Sequence, residues 1–523
     1  MLRTTRRQLA AASLAAVALP RFAVAQGDTR PTITVAVQKI TNTNTLDTLL
    51  EQSSNVSERV TNSVTELLIG RNYQRNLERV PALATAWRRI DDSTVELTLR
   101  RDVKFHDGTE MTAEDVAFSF GPERMFGGAG TKKLPAEIPA VARRHWPALK
   151  SVEIVDAGTV RFINATPDVT MEGRISAGGS EIVSRRAFEA APTWIDYARK
   201  PVGTGPYKVR EYKGDNILTL DAHDEYWGGR PPIKTLRFVE APEVSARVNG
   251  LLSGLYDFAC DIPPDQIAEI ERNPKFEVLG GTILNHRIVN FDSHHPALRD
   301  PRVRLAMAHA VDGQAIVDSL WSGRTRVPPG LQWEFYGDMF VSGWTVPPTD
   351  LARAKRLLRD AAYKGDPIPY RIRNDYYTAE VATAQVLLEM WREAGLNVVL
   401  EVNENWSQVL DKTRPRGLRD WSNAATFDDP MSSIVNQEGP HGAQQQVGEW
   451  TNAEMNQLSE AMERSVDRVA RRGMFARMLQ ICEREDPAYI MLHQNATFTA
   501  KRRDLRWKAA PAFAMDFRAG NWG

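Results

Sequence analysis

Apolar and polar positions repeat at two different periods along this 523-residue chain. In Thr32–Val37 every second residue is apolar, with Ile33, Val35 and Val37 on one side, which predicts a short strand. A polar Asn/Thr-rich loop follows to about Asn44. Val56, Val60, Val64, Leu67 and Leu68 then recur at helical spacing. Val95, Leu97 and Leu99 alternate with Thr94, Glu96 and Thr98, the pattern of a half-buried strand. His106-Asp107-Gly108 is a turn signal, and Thr112 to Asp115 reads as a capping box opening a helix that carries Val116 and Phe120. Residues 121–150, rich in Gly and Pro, read as an irregular insertion. Further on, Asp300 and Pro301 supply an N-cap and a first-turn proline. Val303, Ala306, Met307, Ala310 and Val311 follow at helical intervals. Leu351, Ala354, Leu357, Leu358 and Ala361 form a second stripe, beside Arg353, Lys355, Arg356, Arg359 and Lys364. A third helix, Ala379 to Ala394, stops at Gly395 and leads into a strand over Asn397–Val402. Helix, glycine stop and strand in succession predict an α/β lobe.

Composition narrows the class. Charged residues make up 25% and hydrophobic residues 42%, with 34 Gly and 30 Pro, which excludes a collagen-like or low-complexity chain. The length predicts two or three lobes. Lysine plus arginine and aspartate plus glutamate number 66 each, so no global field draws nucleic acid. Two cysteines, Cys260 and Cys482, are too few for a disulfide framework or zinc cluster and read as buried thiols. The first 25 residues hold Arg3, Arg6, Arg7 and Arg21 and no acid, then an Ala/Leu/Val run from Leu9 to Leu19, then Ala23-Val24-Ala25. That is a secretory leader. Arg6-Arg7 is similar to a twin-arginine signal, which leaves the general secretory and twin-arginine routes open. Cleavage there predicts a mature chain of net charge about −4, soluble in the periplasm, with no cysteine for a lipid anchor and no apolar run long enough to span a membrane.

The catalytic signatures H-E-x-x-H, G-x-S-x-G and the phosphate-binding loop are absent from the sequence. Gly127-Gly128-Ala129-Gly130 reads as a flexible loop. Gly203-Thr204-Gly205-Pro206 fails as a dinucleotide fingerprint because Pro206 lacks the N–H an anion needs. His294-His295 lacks a third ligand for a metal. Asp428-Asp429 before Pro430 reads as a turn, or as a carboxylate pair for acid/base work. Thirteen tryptophans suit either aromatic walls for a ligand or core packing. No catalytic residue, cofactor or resident metal is expected.

The run from Leu99 to Thr109 with Met111 to Val116 resembles the signature of the peptide/nickel/opine class of periplasmic solute-binding proteins, the family 5 receptors of ABC importers. Other stretches agree in order: Pro81-Ala82-Leu83-Ala84 with Trp87, Pro201 to Tyr207, Tyr226-Trp227-Gly228-Gly229, Asp300 to Asp312, and Ala352 to Leu358. Together they cover about residues 32 to 500. The resemblance implies a mixed α/β fold of two hinged lobes with an extra subdomain in the first. Residues 26–60, 201–285 and 490–523 would form the first lobe, 61–200 its subdomain and 286–489 the second lobe. It implies a monomer that closes over a ligand and delivers it to an inner-membrane ABC permease with its ATPase subunits.

Peptide is the first cargo this implies. Peptide-binding members hold the ligand's amino group with an aspartate four residues before the proline of an Asp-Pro pair. Here Thr426 stands in that place before Asp429-Pro430, with Asp428 as a substitute. Arg371 and Arg373 fall where members place ligand contacts. His441 lies where nickel receptors carry a histidine. Trp406, Trp421, Trp450, Trp333 and Tyr336 are the aromatic candidates, and they suit an opine, oligosaccharide or chelated nickel as alternatives. The other readings are a secreted hydrolase using Asp428 or Asp429, and a chaperone-like binder of unfolded chains.

Overall fold

The computed structural model describes residues 28–51, 56–127, 132–374 and 376–522. The predicted leader lies outside them, as does most of the Gly127–Gly130 loop. The central feature is a ten-stranded mixed sheet. Its strands run in the order Tyr207–Lys213, Ile217–Ala222, Thr235–Glu240, Thr32–Val37, Phe258–Ala259, Tyr489–Arg502, Phe276–Phe291, Leu418–Ala424, Ile368–Arg373 and Val398–Asn403. Thr32–Val37 runs parallel to both its neighbours, and Ile368–Arg373 does the same at the other end. Antiparallel pairs join the two halves through the long central strands Phe276–Phe291 and Tyr489–Arg502.

Those two strands are interrupted where the halves meet. Thr282 pairs with Ala496, but His286 already pairs with Gln494, so the residues between form a bulge. Gly280, just before it, has φ +131°, and a Cβ there would lie 2.0 Å from the Thr497 carbonyl oxygen. Only glycine fits that approach. Bulge and glycine together allow the pair to bend while staying hydrogen-bonded on both sides.

A separate four-stranded antiparallel sheet, ordered Ala84–Asp91, Thr94–Leu99, Thr159–Asn164 and Leu149–Asp156, carries its own core. Val95, Leu97, Val160 and Phe162 pack there against Val116, Phe120 and Trp146. The capping box is present: Thr112 and Asp115 bond reciprocally at the start of Ala113–Ser119. Residues 121–150 are more regular than expected. Pro122 starts the helix Pro122–Met125, and Glu137–His145 forms another. The helix expected over 56–69 is shorter, Glu58–Val64, and strands Glu66–Leu67 and Ile69–Asn72 follow once Thr65 turns extended.

The recognised motifs dock on one another. The His106 backbone N–H donates to the Gly203 carbonyl at 2.9 Å, and its ring bonds the Gly205 carbonyl oxygen at 3.0 Å. Burial lowers the His106 pKa to about 3, so the ring is neutral. Helices Pro301–Ala310, Leu351–Asp360 and Glu380–Ala394 form as the spacing predicts, the last ending on Gly395. Both cysteines are free and buried, each with its sulfur facing a methionine sulfur, Met515 for Cys260 and Met455 for Cys482.

Candidate functional site

A cleft enclosing about 1380 Å³ of atom-free space, counting solvent at its mouth, opens beside the bulge of the long strands. One wall comes from residues 42–82, 178–181 and 518, the other from 285 and 376–437. Helix Glu58–Val64 presents Glu58, Thr61 and Asn62 from one side, as spacings of three and four residues require. The hairpin of Ile69–Asn72 with Glu78–Pro81 adds Arg71. Asn285 enters from the bulge itself.

The opposite wall is aromatic. The chain leaves strand Ile368–Arg373 and turns before helix Glu380–Ala394, which brings Tyr376 and Tyr377 together at 4.8 Å between ring centres. Trp406, at the start of a short helix capped by Asn405, meets Tyr376 at 5.2 Å and Trp421 at 5.1 Å. Trp421 lies on strand Leu418–Ala424, and its indole N–H donates to Gln437 Oε1 at 3.2 Å. Arginines cover the rings from behind: Arg287 lies 3.7 Å from the Tyr377 centroid, Arg419 4.4 Å from Trp421 and Arg373 5.0 Å from Tyr376.

The carboxylates of the first wall are held. Glu66 accepts from Thr204 Oγ1 at 2.9 Å, Tyr226 Oη at 2.7 Å and Trp227 Nε1 at 2.8 Å, so the G-T-G-P and Y-W-G-G motifs meet on one acid. Burial pushes its pKa up, as it does that of Glu181, which accepts from the Gly179 N–H. Glu51 accepts from the Asn42 and Thr43 backbone N–H groups.

The structure separates the predicted residues. Thr426, Trp406 and Trp421 line the cleft. Arg373 stands behind its aromatic wall, donating to the Glu404 carbonyl. Arg371 is spent elsewhere: its buried guanidinium binds the Val409, Asp411 and Pro415 carbonyls and Glu401. Trp333 is core, stacked on His286 at 4.1 Å, and Trp450 and Tyr336 are buried in the same core. Asp429 is buried in an ion pair with Arg471, whose Nη2 lies 2.8 Å from each carboxylate oxygen, and accepts from the Met431 backbone N–H. His441 lines a separate small crevice beside Glu463. Among the described residues no group of three or more His, Cys, Asp or Glu is placed to hold a metal ion. Arg71, Glu58, Tyr376, Tyr377 and Asn285 were not expected. The paired tyrosines after a strand were a usable signal; a lone arginine in a hairpin was not.

Asp428 is not among the residues that line the cleft. It accepts from both Arg79 amino groups, at 2.8 and 3.2 Å, and so ties the hairpin of one wall to the loop of the other. Elsewhere between the two halves, Arg174 reaches Glu463 at 2.7 Å, Asn42 Nδ2 donates to Tyr376 Oη at 3.0 Å, and a Cβ on Gly173 would lie 2.7 Å from the Phe427 ring. The walls therefore meet in a closed arrangement. Arg79 and Asp428 are partly exposed, so their pairing contributes about 0.2–1 kcal/mol. Replacing Asp428 with Asn should weaken capture of any ligand by no more than about fivefold, and less at high salt. Titration calorimetry checks this. A loss beyond about a hundredfold would mean that Asp428 holds the ligand directly.

Residues 78–442 match the model of the bacterial extracellular solute-binding proteins, family 5 middle region. Among curated proteins, heme-binding protein A of Haemophilus influenzae is 28% identical over 374 residues, 65% of this chain and 66% of that one. The dipeptide-binding protein of Escherichia coli is 26% identical over 359 residues, 64% of this chain and 65% of that one. These matches span just under two thirds of the relatives' lengths. A dipeptide-binding protein from Pseudoalteromonas, solved with Met-Leu, superposes with a TM-score of 0.83 at 20% identity, covering 93% of this chain and 98% of that one. At that identity the likeness is one of fold: two lobes joined by shared strands.

Proposed function

This chain belongs to the bacterial extracellular solute-binding proteins of family 5, and from that premise we propose that it is the substrate-binding component of an ABC importer, with a short peptide as its first cargo. The observation that carries the reading is a cleft walled by both halves of the molecule, beside the bulge of the two strands that join them. A ligand touching both walls favours the closed form over the open one by the free energy of those double contacts, and nothing else is needed to drive closure. The closed surface is then what an inner-membrane permease with its ATPase subunits recognises. In this reading the ligand leaves unchanged, so the protein is a receptor and not a hydrolase.

The lobe boundaries proposed are those of the family: 26–60, 201–285 and 490–523, the subdomain 61–200, and 286–489. The bulge at residues 283–285 falls on one of them. Trp406, Trp421 and Thr426 remain as proposed ligand contacts, joined by Tyr376 and Tyr377. A periplasmic location is supported by the leader read in residues 1–25 of the sequence. Among the described residues no helix is long and apolar enough to cross a membrane. Relatives named for heme and for dipeptide align equally well, so membership alone does not choose the cargo.

A thermal-shift screen tests the reading. At 100 times its Kd a ligand stabilises by about 2.7 kcal/mol, enough to raise the melting temperature by a degree or more. Di- to pentapeptides are expected to produce that shift and to be recovered intact. Silence from all peptides with a shift from an opine, an oligosaccharide or a nickel chelate would retire peptide as cargo and keep the receptor. Cleavage of a bound peptide would retire the receptor reading itself.

A further inference from the structure

Resting on the receptor reading above, we propose that the cleft is built for a ligand bearing a carboxylate, with Arg71 as its counter-charge, and that it requires no free ammonium group on that ligand.

Arg71 lies opposite Arg79 in the hairpin register, which sets two guanidinium groups side by side on one face. Directly opposed like charges destabilise a strand pair unless each finds a partner. Arg79 has one, the two-pronged pair with Asp428. Arg71 does not have an equal. Its side chain is 91% buried, with 9% exposure, and it faces the cleft. Its nearest acceptors, Glu58 Oε1 and Tyr73 Oη, are both 3.5 Å from Nη2, and its Nε has no hydrogen-bond partner among the described residues. A buried guanidinium with an unused donor is costly to keep and fits the two-oxygen geometry of a carboxylate.

Among the described residues, the acids of the cleft either carry donors already or face Arg71. Glu51, Glu66 and Glu181 already accept the backbone and side-chain donors described above. The aromatic wall does not compensate. Tyr376, Tyr377, Trp406 and Trp421 each have a guanidinium on or near one face, the farthest being Arg373 at 5.7 Å from Trp406. Arg287 and Arg419 are paired with acids, but among the described residues Arg373 has no carboxylate partner for its guanidinium. A second cation on the open faces would compete for the same ring electrons against a like charge behind them. Among the described acids of the cleft, Glu58 and Glu181 are partly exposed; Glu181 accepts from the Gly179 N–H, and Glu58 faces Arg71, so its role is separable by mutation.

The test is calorimetric titration of the purified protein with matched probes. They are tetrapeptides without acidic side chains, as free acids, as C-terminal amides and as N-acetylated acids, together with an imino dicarboxylic acid and its diamide. Acids are expected to bind, N-acetylation to change Kd by less than about threefold, and amidation to weaken binding by about tenfold or more. Arg71→Gln should erase the difference between acid and amide, Arg71→Lys should keep part of it, and Glu58→Gln, which removes the carboxylate that competes for Arg71 at 3.5 Å, should tighten acid binding. Melting of each variant without ligand, within a few degrees of the parent, separates loss of recognition from loss of fold. Amides binding as tightly as acids while N-acetylation costs tenfold would overturn the inference and leave the peptide receptor standing. Binding of the dicarboxylic acid but of no peptide would retire peptide as cargo and support the inference. If no probe binds, both are overturned.

Discussion

Replacing Arg287 with methionine is expected to destabilise the protein by about 3–5 kcal/mol and to weaken ligand capture with it. Arg287 lies on the long strand Phe276–Phe291, with 2% of its side chain exposed. It pairs with Asp420 on the neighbouring strand, approaches Glu380 at 3.8 Å and covers the Tyr377 ring at 3.7 Å. Asp420 in turn accepts from Tyr370 Oη at 2.5 Å. Burial pushes Asp420 up and Glu380 up to about 8, so Glu380 is mostly neutral at pH 7 and the Arg287 charge opposes the rise at Asp420. Without the cation, Asp420 must either take up a proton or stay charged in a site that water does not reach. Tyr377 also loses the group that sets its ring against the cleft. Urea unfolding followed by tryptophan fluorescence reads the first effect, and calorimetry with a cleft ligand reads the second. Arg287→Lys should fall between, since it keeps the charge and loses the flat cover. Asp420→Asn in the methionine background should recover part of the stability, because the stranded charge goes too. A midpoint unchanged within about 1 kcal/mol would mean that the pair with Asp420 does not form.

The same residues show why part of the fold was legible in the sequence and part was not. Helices whose polar faces meet water carry a clear period, and Pro301–Ala310, Leu351–Asp360 and Glu380–Ala394 were readable to within a residue or two. The two long strands that join the halves were not. Phe276–Phe291 buries Asn285, His286, Arg287 and Asn290 beside its apolar residues, and Tyr489–Arg502 buries His493, Gln494 and Asn495. Polar residues that face one another across a sheet, and not solvent, erase the alternation by which a strand is recognised. The family's motifs located the fold because they are its joints: His106 seats on the Gly203–Gly205 segment, and Thr204, Tyr226 and Trp227 converge on Glu66.

At the site the limit was different. Residue type suggested the tryptophans, but Trp333 and Trp406 are chemically alike and only their surroundings differ. One stacks on His286 in the core and the other lines the cleft. Arg371 is consumed by carbonyls supplied some forty residues downstream, a contact that no local window contains. Arg71 gains its meaning from its register with Arg79 and from the distance to Glu58, both products of tertiary placement.

Stability should fall as pH rises from 7 to 8, and Glu438 should account for much of that fall. Glu438 is fully buried, and neither carboxyl oxygen has a hydrogen-bond partner among the described residues. Its nearest cation, Arg419, is already paired with Glu449 at 2.6 Å. Desolvation, reinforced by the Glu449 charge, pushes Glu438 up to about 8, and burial takes Glu380 to the same value. A folded-state pKa above the unfolded one means that the native protein keeps a proton the unfolded chain releases. The contribution is therefore whole below about pH 4.5 and is lost progressively until the pH passes about 8. Each such proton costs about 1.4 kcal/mol per pH unit within that window, on the order of 5 kcal/mol across it. The buried histidines act with the opposite sign. His106 and His145 are lowered to about 3 and His493 to about 4, so their contribution is present above about pH 6.5 and is lost as the pH falls from there. Between pH 7 and 8 those histidines are neutral in the folded protein and lose only their last fraction of a proton in the unfolded chain, so the carboxyls dominate the slope. Glu438→Gln keeps the shape and removes the titration, so it should flatten the slope by about one proton and leave the variant more stable than the parent at pH 8. Melting temperatures of both proteins at half-unit steps from pH 6 to 8.5 decide the matter. Parallel curves would mean that Glu438 is ionised in the folded protein, with a counter-charge brought within reach.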